Sequence, residues 1–173
     1  MAIIPTIEVR KPAWHTIAMF ALGFWLSAIA VVDLVVMPTM YAAGMTVESG
    51  FASAGYVMFG TFNRIELLCA AVVLTGLLTM VYRHRSERNW GKTEVILSVI
   101  LLGIVLAQTY ALTPQMSALG IQLNWLDSEV SVPALMDGMH ESYWFLELIK
   151  LGCGGFLLSW LYRKTKEDEL LAQ

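Results

Sequence analysis

Five ionisable side chains stand inside stretches that are otherwise apolar: Asp33, Arg64, Glu66, Glu147 and Lys150. Charge in such a setting is costly and marks a functional hypothesis by default. Three carboxylates against two cations leave one excess negative charge, which calls for a protonated carboxyl or a bound cation. Helical spacing sorts the set. His140, Tyr143, Glu147 and Lys150 are separated by three or four residues, so a helix that begins near Asp137 gathers them into one polar stripe. Arg64 and Glu66 are two apart and point to nearly opposite sides, so each needs a partner from another helix. Pairing Asp33 with Arg64 and Glu66 with Lys150 leaves no buried charge alone, and lone buried charge is the expensive case. Asn63 shares the face of Glu66. Gln108 and Gln115, a heptad apart, would add neutral ligands or hydrogen bonds. Two readings stay open: a salt-bridge network that fixes helix register, or a proton relay or ion site.

A second group of donors is soft. Met37, Met40, Met45, Met58, Met116, Met136 and Met139 fall at or beyond one edge of the apolar stretches, clustered around Pro38 and just before His140. Thioethers suit Cu(I), and a neutral imidazole strengthens such a site. Met37, Met40, Met136, Met139 and His140 are therefore the metal candidates, with Met37 and Met40 on the face of Asp33 if the helix survives Pro38 as a kink. The competing reading is that methionine fills gaps in an apolar core. No Cys-x-x-Cys accompanies the cluster. Intramembrane haem is not expected, because His15, His84 and His140 lie at boundaries or in a loop and cannot ligate one iron from opposite sides. Cys69 and Cys153 read as small buried thiols.

The elements that must position these residues are membrane helices. Of 173 residues, 57% are hydrophobic and 14% charged, where soluble domains carry about a quarter charged residues. The mean hydropathy is +0.64. Large soluble enzymes and nucleic-acid binding are excluded on this composition. Four apolar runs, about 14–37, 56–82, 94–112 and 140–162, each approach or exceed the ~18 residues of a span. They lack the ~10-residue alternation of barrel strands. The expectation is an all-α, four-helix transmembrane bundle in a single domain. Arg10, Lys11, Arg83, Arg85, Arg88, Lys92, Arg163, Lys164 and Lys166 fall on one side, whereas Glu48, Asp127, Glu129, Asp137 and Glu141 mark the other. By the positive-inside rule both termini are cytoplasmic. Trp14, Tyr82, Trp90, Trp160 and Tyr162 form an inner aromatic belt, and Tyr41, Tyr56, Trp125, Tyr143 and Trp144 an outer one. At about 1.5 Å per residue, the five charges crowd into the outer half. Residues 113–139 are expected to form an outer loop, a lid over the polar pocket. Gly76, Gly152, Gly154 and Gly155, with Ala70 and Ala71, would let helices approach closely.

The segments DLVVMPTMYAAGM (33–45), FNRIEL (62–67), LTPQM (112–116) and HESY (140–143) resemble a family of bacterial and cyanobacterial four-helix membrane proteins, itself distantly similar in layout to the copper resistance D membrane domain. The resemblance covers about residues 14 to 162. It implies a four-helix protein of the bacterial inner membrane, or of the thylakoid membrane in a cyanobacterium, with copper as one candidate ligand. The absence of cysteine metal motifs departs from well-known copper transporters. The functional expectation is a non-enzymatic protein whose polar, Met-lined outer pocket binds or conducts an ion or proton. The alternative is an accessory or assembly subunit that docks on a larger membrane complex or on its own copies, with structural charges.

Overall fold

The computed structural model describes residues 14–45, 48, 50–83, 91–125 and 134–171. Four helices account for nearly all of them: α1 (Trp14–Ala42), α2 (Phe51–Arg83), α3 (92–125) and α4 (Ala134–Leu171). Each contains a stretch of 29 or 31 residues long and apolar enough to cross a membrane. That exceeds the ~20 residues a bilayer requires. This is a multi-pass, four-helix membrane protein.

The helices run up and down in chain order around a square. α1 packs on α2 and α4, and α3 packs on the same two, while no backbone approach joins either diagonal pair among the described residues. Two glycines allow close approach to α1. A Cβ on Gly76 would lie 3.1 Å from the Ala18 Cβ, and one on Gly154 would lie 2.7 Å from a Leu26 methyl. Gly152 and Gly155, by contrast, have open space beside them. At the end carrying Trp14, Arg83, Lys92 and Arg163, here the basic end, Ala18, Leu22, Val73, Leu77, Leu101, Leu157 and Leu161 form a mainly apolar core, with Glu94 and Ser98 of α3 also buried. Towards the other, acidic end it turns polar, with Asp33, Asn63, Glu66, Gln108, Thr113, Glu147 and Lys150 buried.

The outward faces carry Phe20, Phe24, Val57, Leu68, Phe145 and Leu148, the apolar surface that lipid requires. Hydroxyls on these faces are satisfied within their own helix: Ser27, Thr75 and Ser159 donate to carbonyls four residues earlier.

Neither α1 nor α3 is regular throughout. Val32–Val36 and Gln108–Leu112 are π-helical turns. Met37 N–H donates to Val32 O and Thr113 N–H to Gln108 O, each five residues back. A proline follows at once in both cases, Pro38 and Pro114. A proline has no N–H to give and its ring clashes with the carbonyl four residues earlier, so a widened turn is one way for the helix to continue past it. Part of the segment expected as an outer loop is helical. Thr113–Trp125 is helix that prolongs α3, and α4 already begins at Ala134. Residues 126–133, including Asp127 and Glu129, lie outside the described residues, as do Arg10, Lys11, Arg85, Arg88 and Trp90.

Candidate functional site

Lys150 occupies the bundle axis. Its Nζ donates to Glu66 Oε1 at 2.8 Å and Oε2 at 2.9 Å, and lies 2.7 Å from Glu147 Oε1 one turn away on its own helix. The Glu66 contact spans a diagonal of the square, α4 to α2, across a gap the backbones themselves leave open. Glu66 is 0% exposed, Glu147 and Lys150 1%. Trp25 on α1 donates its indole N–H to Glu66 Oε1 at 2.8 Å, and Gln108 on α3 donates to Glu147 Oε1 at 3.0 Å. All four helices thus contribute to one buried knot. Charge-assisted hydrogen bonds of this kind are the strong ones.

Beside it runs a neutral chain. Asn63 donates to Thr113 Oγ1 at 2.8 Å, and the Tyr143 hydroxyl donates to Asn63 Oδ1 over a longer 3.4 Å. Tyr143 is held from the other side by Phe59, edge to face with ring centres 5.7 Å apart.

Asp33 stands differently. It is 6% exposed, within electrostatic reach of Glu147, Lys150 and Glu66, yet its Oδ2 has no hydrogen-bond partner among the described residues. Glu147 Oε2 and Gln108 Oε1 are in the same position. Asp33 lines a cavity of about 90 Å³ near the acidic end, together with Met37, Phe59, Thr113, Met116, Ser117, His140, Tyr143 and Trp144.

The sequence pairing of Glu66 with Lys150 and the stripe through Tyr143, Glu147 and Lys150 agree with this geometry. The pairing of Asp33 with Arg64 does not. Arg64 is exposed, and no ion pair joins it to Asp33 among the described residues. The reason is helical phase. Arg64 is two residues from the inward-facing Glu66 on one continuous helix, about 200° around its axis, so its side chain points away from the bundle and from Asp33. Without Arg64, the buried set is Asp33, Glu66 and Glu147 against Lys150 alone. If all are ionised, three negative charges less one positive leave an excess of two.

The soft donors are divided. Met37 and His140 line the cavity and are joined there by Met116, while Met40, Met136 and Met139 do not line it. Gln115 is exposed, whereas Gln108 is buried. Among the described residues no group of three His, Cys, Asp or Glu side chains is placed to hold a metal ion.

Trp25 and Thr113 were not anticipated. The signal for Trp25 was its place mid-span, since a buried indole N–H has to find an acceptor. Ser98 and Glu94, also buried on α3, lie towards the basic end. Ser98 is ten residues from Gln108, about 15 Å along the helix, with Leu101 and Val105 between them on the inward face. No protein-family model matches the chain, and no curated protein or solved structure matches it either.

Proposed function

We propose that this chain is a non-enzymatic membrane protein whose buried carboxylate cluster takes up a proton or a small cation from the acidic end without passing it through to the other side. The observation that carries this reading is the unpartnered Asp33 Oδ2 on the wall of a cavity, beside a lysine already occupied by Glu66 and Glu147. An unpaired buried carboxylate oxygen in a low-dielectric interior needs a proton or a cation. Uptake rather than conduction is favoured because the core from Cys69 through Val73 and Leu77, and from Trp25 back to Ala18, is apolar. With the nine flanking basic residues held inside, the acidic end faces the exterior of a bacterial inner membrane or the thylakoid lumen.

The test is infrared difference spectroscopy on the purified protein in lipid nanodiscs, titrated with acid and separately with monovalent salts. A carboxyl C=O band that rises with acid, or is suppressed by a cation, and that vanishes in Asp33→Asn is the expected result. If no carboxyl responds to either titrant, the charges are structural and the accessory-subunit reading takes over. Association with a partner complex would then be the property that Glu66→Gln and Glu147→Gln impair.

A further inference from the structure

Three residues on the cavity wall share a chemistry that the carboxylate cluster does not use. Met37 from α1, Met116 from α3 and His140 from α4 line the same space of about 90 Å³, so residues bearing two thioethers and one imidazole share one cavity wall from three helices. His140 is already set for coordination. Its Nδ1 lies 2.9 Å from Met136 O, and because a carbonyl can only accept, Nδ1 carries the proton and Nε2 keeps its lone pair. A hydrogen bond from the other ring nitrogen is what fixes the tautomer and orientation of metal-bound histidine. We propose that Met37, Met116 and His140 bind a soft monovalent metal cation, Cu(I) or its analogue Ag(I), with the Asp33 carboxylate on the same wall balancing its charge.

The donor set discriminates among metals. Thioethers and a neutral imidazole suit Cu(I), whereas Ca(II) and Mg(II) demand several oxygen ligands. Zn(II) sites draw on Cys, His, Asp and Glu, and no such group of three gathers here among the described residues. Neutral donors bring no charge, so a bound monovalent cation needs one carboxylate to leave the site neutral. Asp33 is that carboxylate, and its Oδ2 lacks any other partner among the described residues. Phe59, Tyr143 and Trp144 complete the wall, and His140 and Trp144 on its exposed side leave the site open to ions from the acidic end.

This inference rests on the proposed uptake from the acidic end, but its test is separate. The full chain in detergent is titrated with Ag(I), and with Cu(I) in competition with a chromogenic chelator, and the bound metal is read by X-ray absorption. One equivalent should bind, with sulfur and nitrogen scatterers in the first shell. Met37→Leu, Met116→Leu and His140→Gln should each weaken binding at least tenfold. Met40→Leu and Met139→Leu should leave it within about twofold. Leucine conserves volume in these positions and preserves the bundle. Equal loss from Met40→Leu or Met139→Leu, a first shell without sulfur in the unmutated protein, or Zn(II) binding as tightly as Ag(I) would each overturn the assignment. Absence of Ag(I) binding alongside an acid-sensitive Asp33 band overturns the metal site and leaves the uptake reading intact. Absence of both signals overturns both.

Discussion

Lys150→Met is the perturbation that most directly tests the buried knot. The ammonium lies 2.8 Å from Glu66 and 2.7 Å from Glu147, and all three side chains are at most 1% exposed. At an effective dielectric of about 20, each contact has a gross attraction of about 6 kcal/mol. Most of that is offset by the desolvation of the ions, and the net loss on removing one partner of a buried pair is about 3–5 kcal/mol. Methionine matches the length of the lysine stem, so the lost energy is electrostatic rather than a cavity. Unfolding in mixed micelles, followed by helicity as the denaturing detergent fraction rises, measures the difference. The triple variant Lys150→Met, Glu66→Gln, Glu147→Gln removes the stranded charges as well and should regain all but about 1–2 kcal/mol. The reasoning is refuted if Lys150→Met is within about 1 kcal/mol of the parent, or if the triple variant is no more stable than the single one.

Arg64→Ala should change stability by no more than about 0.5 kcal/mol in the same assay, as for an exposed side chain away from special features; a loss of several kcal/mol would restore the pairing with Asp33. Trp25→Phe keeps an aromatic ring, though a smaller one, and removes the donor to Glu66, which should cost about 1.5–3 kcal/mol, and the cost should shrink once Glu66→Gln is present. Gly76→Ala places a methyl 3.1 Å from the Ala18 Cβ and 3.4 Å from the Trp14 carbonyl, an overpacking of about 1–3 kcal/mol. Gly152→Ala, with open space around it, should be nearly neutral, and equal effects at the two glycines would contradict the close approach of α1 and α2.

The four spans were readable because continuous apolar runs have no other stable fate in a chain this poor in charge. The Glu66 to Lys150 pair was readable for a related reason: once helical spacing sets their faces, few partners exist for either. Arg64 was misjudged because pairing was assigned by charge balance, whereas two residues from the inward Glu66 it falls on the outward face of α2. The loop expected from residue 113 onward does not start there, since Thr113–Trp125 is helical despite its modest apolarity and extends α3. Met116 could have been placed in the pocket only by someone who knew the helical phase beyond Pro114.

That phase is the link between the prolines and the site. On α3 the inward positions Glu94, Ser98, Leu101, Val105 and Gln108 step by four, three, four and three, as an α-helix of 3.6 residues per turn demands. The next buried residue is Thr113, a step of five, across the π turn of Gln108–Leu112. One extra residue per turn sets everything beyond it back by about 100°. This is why Gln115, a heptad from Gln108, faces outward, while Thr113 and Met116 face the cavity. On α1 the inward run Ala18, Leu22, Trp25 and Ile29 passes through the π turn Val32–Val36 and continues with two steps of four, to Asp33 and Met37. The widened turn thus follows Asp33 with Met37 on the cavity wall, while Met40 does not line it. Two prolines at matching places in α1 and α3 therefore do more than bend their helices. By widening a turn near the buried lysine, they set which thioethers line the acidic-end pocket, and a heptad step across them lands on Gln115 from Gln108 and on Met40 from Asp33, neither of which lines it.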